Sequence, residues 1–261
     1  MTHGFDPATA FRLDGKACVV TGGANGIGRA IAIGLARAGA AVHLLDRDIA
    51  ALHRTQDELA AMGLPVTCHG ADVTHQGELE AAFDLVAVRS GPIYGLVNNA
   101  GIAIRRPATE LDQADWQKVM DVNLTGVFLC ARTAARQMLA AGRGSIVNMS
   151  SIMGLSGGGL YPNISYQTTK GAVVNLTRAL AVEWAPQNVR VNAVAPTWVR
   201  TEFIRPLLDS PELVARMKSI TPLNRIAEPE EIVGAVLFLL SPAASMVTGH
   251  TLPVDGGVLA Q

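Results

Sequence analysis

Charge is scarce in this chain: 16% of its 261 residues are Asp, Glu, Lys or Arg, and they nearly cancel to a formal net charge of −1. No basic run is present to neutralise a phosphate backbone or an anionic bilayer surface, so neither nucleic acid nor membrane is an expected partner. Aromatic residues are also few, at 5%, which leaves the core to aliphatic side chains. The three cysteines, Cys18, Cys68 and Cys130, are too few and too widely spaced for a disulfide framework or a metal cluster. The histidines show no ligand spacing either, so no metal is expected. All three cysteines fall in apolar stretches and read as buried thiols of a protein kept in a reducing cytoplasm. Residues Met1 to Arg12 include Asp6 and lack an apolar run of signal-peptide length. A long uncharged stretch, Gly144 to Thr169, is full of Gly, Ser, Thr and Asn, which argues against a bilayer span.

Apolar residues are plentiful, at 49%, enough for a large core. Short β-branched runs alternate with helical patterns without a linker or repeat, which predicts one α/β domain over residues 1–261. Its parallel sheet should be doubly wound, with helices on both faces. The predicted strands are Ala17–Thr21, Ala41–Leu45, Val66–Gly70, Gly95–Asn98, Ser145–Met149, Arg190–Ala193 and Thr251–Val254, about seven in all.

The first strand runs into Gly22-Gly-Ala-Asn25-Gly26-Ile27-Gly28 and then the amphipathic stretch Arg29 to Ala38. Strand, glycine turn and helix together make a pyrophosphate site: glycines admit the anion to the backbone, and a helix amino terminus presents free N–H groups. The spacing, Gly22-x-x-x-Gly26-x-Gly28, differs from the usual G-x-G-x-x-G. Asp46 closes the next strand, 18 residues after Gly28. A carboxylate there accepts hydrogen bonds from an adenosine ribose diol and repels a 2′-phosphate, which points to NAD over NADP. Arg47 follows directly, but adjacent strand side chains face opposite ways, so it is expected in solvent.

A second constellation lies later in the chain. Tyr166 and Lys170 are one turn apart on a predicted helix, Ser165 to Trp184. A phenol beside an ammonium can take a proton from an alcohol and return it to a carbonyl. Ser151 follows the buried strand Ser145–Met149, at the strand end where open α/β sheets hold ligands. Its hydroxyl suits an oxygen on which charge develops. Asn123 interrupts the apolar pattern of the helix predicted over Gln117–Met138, where asparagine is unfavourable by propensity.

These motifs resemble the short-chain dehydrogenase/reductase family. Thr21 to Gly28 matches its cofactor loop, Asn98-Asn99-Ala100-Gly101 its central-strand motif, and Val254-Asp-Gly-Gly257 its carboxyl-terminal motif. Asn123, Ser151, Tyr166 and Lys170 match its catalytic residues. The similarity runs from about Leu13 to Gly257 and is strongest to polyol and sugar dehydrogenases. It implies a Rossmann-type domain, usually tetrameric, that oxidises alcohols or reduces carbonyls with NAD(P)(H). It also implies roles for residues that spacing alone does not settle. Asp72 and Val73 would contact adenine. Asn99, Ala100 and Gly101 would border the cofactor ribose. Pro196, Val199 and Thr201 would run along the nicotinamide. Lys170 would bind the nicotinamide ribose and lower the pKa of Tyr166. Asn123 would distort its helix and hold a water linking Lys170 to solvent.

Two departures stand out. Thr197 follows Pro196 where the family has glycine, and the Ser151–Tyr166 connection is long, with Gly157-Gly-Gly159 inside it. Leu155, Leu160, Tyr161 and Asn163 on that connection are expected near the substrate. Residues Trp198 to Thr221 read as a mobile helical lid or a subunit contact, with Arg200 or Arg205 available to an anionic substituent. The leading expectation is an NAD-dependent dehydrogenase of a small secondary alcohol, a polyol, sugar or related hydroxy compound. The rivals are an NADPH-dependent reductase of ketoacyl type and a catalytically silent nucleotide-sensing protein. The helix Thr168–Glu183, poor in charge, is the expected interface of a homotetramer.

Overall fold

The computed structural model describes residues 6–261; the first five residues of the Met1–Arg12 segment lie outside them. A short helix α1 (Pro7–Ala10) precedes β1 (Ala17–Thr21), α2 (Gly26–Arg37), β2 (Ala41–Asp46), α3 (Ile49–Ala61), β3 (Thr67–Gly70), α4 (Gln76–Ser90) and β4 (Ile93–Asn98). The second half runs through α5 (Gln113–Met120), α6 (Gly126–Ala141), β5 (Gly144–Met149), α7 (Ile164–Trp184), β6 (Val189–Pro196), α8 (Arg205–Leu208), α9 (Pro211–Ser219), α10 (Glu230–Leu240) and β7 (Thr251–Val254). All seven strands are parallel, in the order β3-β2-β1-β4-β5-β6-β7. The chain winds outward from β1 to β3, then returns to lay β4 on the other side of β1. Neighbouring loops therefore diverge at the carboxyl ends of β1 and β4 and open a crevice there.

Strands buried on both faces need apolar side chains at every position rather than at alternate ones. Successive residues serve opposite layers. Val20, Leu44, Val97 and Val147 pack with Ile31 and Leu35 of α2, Leu52 of α3 and Val236 of α10. Their neighbours Val19, Leu45, Leu96 and Ile146 pack with Phe83 of α4, Cys130 and Met138 of α6 and Trp184 of α7. Burying one such aliphatic side chain contributes about 1.5–3 kcal/mol, which sets the register of each strand. Cys18 and Cys130 are buried as expected, whereas Cys68 is only half-buried. No helix among the described residues is long and apolar enough to cross a membrane.

Two buried asparagines link neighbouring elements of the sheet. Asn98 Nδ2 donates to Asn148 Oδ1 at 2.9 Å, and Asn148 Nδ2 donates to Thr177 Oγ1 of α7 at 3.0 Å. This chain ties β4 to β5 and then to α7. On the sheet edge, His43 Nδ1 lies 3.0 Å from His69 Nε2, and His43 Nε2 lies 2.9 Å from Ser90 Oγ.

Several expected boundaries shift. Helix α2 starts at Gly26, inside the glycine turn, and β6 runs on past Ala193 to Pro196. The helix expected over Gln117–Met138 is instead α5 and α6 joined by a π turn, Asp121–Thr125, with Asn123 at its centre.

Candidate active site

The glycine turn between β1 and α2 shapes one end of the crevice. Gly22 has φ +62° and Gly26 has φ +53°, left-handed conformations that favour glycine. At Gly28 the reason is contact: a Cβ there would lie 2.1 Å from the Gly22 carbonyl oxygen. Asn99 clamps the turn to β4, donating from Nδ2 to the carbonyls of Thr21 at 3.1 Å and Gly22 at 3.0 Å. The side chain of Asn25 does not cap α2, so the first N–H groups of that helix remain available. Asn25, Gly26 and Ile27 line a cavity of about 290 Å³.

Asp46 lines the same cavity and also a smaller one of about 180 Å³, which it shares with Arg47, Asp72, Val73, Ala100, Gly101 and Val122. Its carboxylate accepts from Asp48 N–H at 3.1 Å and Ala24 N–H at 3.4 Å, leaving further lone pairs for a diol. Arg47 is exposed, as expected, with its guanidinium 3.8 Å from the Asp72 carboxylate. Asp72 also accepts from the backbone and hydroxyl of Thr74 at 2.9 and 2.8 Å, so it caps its turn as well as bordering the cavity. An uncapped helix end, a glycine cradle and the Asp46 carboxylate lining one crevice fit a dinucleotide cofactor.

The other end holds Ser151, Tyr166 and Lys170, all lining the larger cavity. Ser151 follows β5, two residues past Met149, and its Oγ accepts from Met153 N–H at 3.2 Å. Its neighbour Ser150 turns the other way and donates to the Lys170 carbonyl at 2.9 Å, which separates the two candidate serines. Burial pushes the Tyr166 phenol up to about 12, with the nearby Ser151 hydroxyl opposing it. Burial also pushes Lys170 down to about 8. The lysine ammonium donates to the Met149 carbonyl at 2.6 Å and stands 5.4 Å from the Tyr166 ring centre. In the cofactor-free protein the lysine charge is directed at a backbone carbonyl, and desolvation dominates Tyr166.

Asn123 is fully buried within the π turn. Its Oδ1 accepts from Ile102 N–H at 2.8 Å, and its Nδ2 donates to the Ile102 carbonyl at 2.9 Å and to Thr169 Oγ1 at 3.2 Å. The asparagine thus fastens the loop after β4 to α7, next to Lys170.

Pro196, Val199 and Thr201 line the cavity opposite the glycine turn. Thr201 points its hydroxyl at the Val199 carbonyl, 3.3 Å away. Thr197 keeps the extended course of β6, its N–H donating to the Val254 carbonyl at 3.1 Å. Among the described residues only Asn188 and Asn224 are non-glycine residues with positive φ, so a β-branched residue fits where the family has glycine. The segment from Trp198 to Thr221 is helical, as expected, and docks through Trp198, Ile204, Leu207 and Met217 into a small apolar cluster of its own.

Four side chains on the long Ser151–Tyr166 connection divide. Tyr161 and Asn163 line the cavity, with Tyr161 Oη accepting from Trp198 Nε1 at 3.1 Å. Leu160 packs into the lid cluster, and Leu155 is exposed. Arg200 and Arg205 form surface ion pairs with Glu228 at 3.0 Å and Glu202 at 2.9 Å and do not line the cavity. The cavity's arginine is one the sequence reading passed over. Arg105, on the loop after β4, lines the chamber with its guanidinium 5.4 Å from the Phe203 ring centre and 5.8 Å from that of Tyr161.

Comparison with known proteins accords with this geometry. A family model described as enoyl-(acyl carrier protein) reductase matches residues 22–259. The chain belongs to the short-chain dehydrogenase/reductase family. It is 46% identical over 253 residues to a galactitol 2-dehydrogenase (L-tagatose-forming) of Cereibacter sphaeroides, covering 97% of this chain and 98% of that protein. It is 39% identical over 249 residues to a gluconate 5-dehydrogenase of Gluconobacter oxydans, covering 95% and 96%. A crystal structure of a gluconate 5-dehydrogenase from Burkholderia cenocepacia, in complex with NADP and tartrate, superposes with a TM-score of 0.93 at 36% identity, covering 98% of this chain and 100% of that one. The protein is thus an oxidoreductase of CH–OH groups that uses a nicotinamide cofactor.

Proposed function

We propose that the protein is an NAD-preferring dehydrogenase of a polyol, sugar or related secondary alcohol, with Tyr166 as general acid/base. The observation that carries the reading is the convergence of Ser151, Tyr166 and Lys170 on one cavity with the glycine turn and Asp46. The relatives named for galactitol and gluconate supply the substrate class. NAD or NADH, when bound, accepts or supplies the hydride.

In the oxidative direction Tyr166, as phenolate, takes the hydroxyl proton of the substrate as the C–H hydride leaves the same carbon, and a carbonyl forms. Ser151 holds the substrate oxygen while its charge changes. Lys170 holds the nicotinamide ribose and adds positive charge near the phenolate. Asn123 keeps Gly101 and Ile102 in place beside Lys170 and holds the water through which the proton leaves. Gly22, Asn25, Gly26, Ile27 and Gly28 cradle the pyrophosphate, and Asp46 takes the adenosine ribose. Asp72 and Val73 border the adenine, Asn99, Ala100 and Gly101 the inner ribose. Pro196, Val199 and Thr201 meet the carboxamide.

The NADP-bound relative makes the cofactor choice the open arm of this reading; the Asp46 carboxylate supports NAD, and exposed Arg47 in the adjoining cavity is the group that would serve a 2′-phosphate. Free thiols at Cys18, Cys68 and Cys130 suit a reducing cytoplasm, and residues 1–261 act as one catalytic domain. The test is a panel of polyols, sugars and cyclic alcohols assayed with NAD and with NADP at alkaline pH. Oxidation of polyols, faster with NAD, is expected; turnover restricted to ketoacyl thioesters with NADPH would replace the reading.

A further inference from the structure

We infer that Tyr161 and Asn163 form a hydroxyl-selecting pair, holding a second hydroxyl of the substrate on the carbon next to the one that Ser151 and Tyr166 serve. The inference rests on the polyol dehydrogenase reading and names the side chains that make a diol a better substrate than a simple secondary alcohol.

A count of donors and acceptors singles the two out. Tyr161 lines the cavity, and its Oη accepts from Trp198 Nε1 at 3.1 Å. An indole N–H only donates, so this bond leaves the phenol's own proton unused. Arg105, with its guanidinium 5.8 Å from the Tyr161 ring centre, likewise offers donors only. Among the described residues that proton has no acceptor, and it is free for an oxygen that enters the cavity.

Asn163 has the opposite deficit. It lines the same cavity at 3% exposure. Its Nδ2 lies 3.9 Å from Met153 Sδ. A thioether only accepts, which fixes the nitrogen on that side and the oxygen on the other. The oxygen, Oδ1, is buried without a partner, and a buried acceptor left without a donor costs about 1–3 kcal/mol. Asn163 immediately precedes α7, where an asparagine oxygen usually caps the helix, yet it makes no capping bond.

The two unused groups meet around Met153, whose sulfur faces Asn163 and whose side chain packs in one cluster with Tyr161 and Trp198. A hydroxyl both accepts and donates, so it alone satisfies a free donor and a free acceptor together. A carbonyl or ether leaves Asn163 unpaired, and a methyl leaves both. Position sets which hydroxyl this is. Asn163 stands three residues before Tyr166, and side chains one helical turn apart have Cβ atoms about 5–6 Å apart. Ser151 Oγ accepts from Met153 N–H at 3.2 Å, which keeps its own proton for the reacting oxygen. With Ser151 and Tyr166 on that oxygen, the hydroxyl within reach of Tyr161 and Asn163 is its neighbour along the carbon chain.

Butane-2,3-diol and butan-2-ol differ by that hydroxyl alone. Every stereoisomer is assayed with wild type, Tyr161→Phe and Asn163→Leu, with NAD and with NADP. Each is also titrated as an inhibitor of galactitol and D-glucitol oxidation, so that a compound that binds without turning over still reports. Wild type should prefer at least one diol stereoisomer over the alcohol by about 10–100-fold, in kcat/KM or in inhibition constant, the scale of two hydrogen bonds and an orphaned buried group. Each variant should lose more on the diol than on the alcohol and cut the preference by about tenfold, while the Kd for NADH holds. Asn163→Asp, which keeps an acceptor in the same shape, should retain most of the preference. No diol preference in wild type, or one that survives both Tyr161→Phe and Asn163→Leu, overturns the assignment. Losses shared equally by diol and alcohol overturn it as well, since they mark a structural role. Oxidation of galactitol or D-glucitol persists where only the assignment is wrong; its absence with either cofactor overturns both the assignment and the polyol reading.

Discussion

Lys170 and Tyr166 share one face of α7, yet the lysine ammonium is bonded at 2.6 Å to the Met149 carbonyl, with the tyrosine ring centre 5.4 Å away. The tyrosine phenol is pushed up to about 12 by burial, so in the cofactor-free protein it is protonated across the physiological range. Activating it requires additional positive charge, which the oxidised nicotinamide carries.

That arrangement makes Tyr166 titration depend on ligand. Tyrosinate absorbance, taken as wild type minus Tyr166→Phe, should be absent below about pH 10, the ordinary range for tyrosine, and its onset should fall when NAD is added. The same Tyr166→Phe variant should bind NADH normally while kcat drops by ~10²-fold or more. A Phe variant retaining most of its turnover would remove Tyr166 from the proton path.

Asp46 should govern cofactor choice. Asp46→Ala removes the carboxylate that repels a 2′-phosphate and leaves Arg47 in the adjoining cavity, so the NAD:NADP ratio of kcat/KM should fall. A wild-type enzyme that already prefers NADP would reverse the assignment.

Acid should weaken the fold through the edge of the sheet. His43 is buried beside His69, Ser90 and the charge of Arg89, and its pKa is pushed down to about 4, by burial first and then by its neighbours. His69 is lowered too, again mainly by burial. An unfolded histidine takes its proton near pH ~6.5. The unfolded chain therefore binds the extra proton as pH falls from that value to about 4, and stability declines across that window. The loss tied to His43 is of order 3 kcal/mol, and each kcal/mol lowers Tm by about 2–4 °C at this size. Thermal melts of wild type and His43→Gln at pH 7 and 4.5 should show a smaller acid loss in the variant.

The protein should form a homotetramer. Val182 on α7, Val88 and Leu85 on α4 and Phe128 on α6 are exposed apolar side chains, and such patches mark interfaces. Light scattering at micromolar concentration should give four times the chain mass of 27.4 kDa; a monomer mass would count against it.

Much of the site was legible because its signals are local. The glycine turn, Asp46 at a strand end, and Tyr166 one turn before Lys170 are each set by a few consecutive residues. At Asn123 propensity showed only an asparagine out of place amid Val119, Val122 and Val127; the helix distortion there came from the family resemblance. Arg105 was not legible, because it lies on a loop without periodicity and reaches the cavity only through the packing of Phe203 and Tyr161 around it. The pairing of Arg200 was hidden for the converse reason: Glu228 lies 28 residues away and neutralises it only in the folded chain. Leu155 is exposed, at the end of the 3₁₀ turn Ile152–Gly154, whose first two residues line the cavity. The direction of the Lys170 ammonium was equally out of reach, for it depends on a carbonyl of a different element.

The π turn at Asp121–Thr125 also acts as a latch seat. Its widened backbone carries Asn123, whose Oδ1 and Nδ2 grip both the N–H and the carbonyl of Ile102. Val119 before the turn and Val127, Cys130, Ala134 and Met138 after it are all buried, so the rod is anchored in the core on either side of that grip. Deleting a single residue there would let the backbone close into regular helix and draw Asn123 away from Ile102, unfastening the loop after β4 beside Lys170.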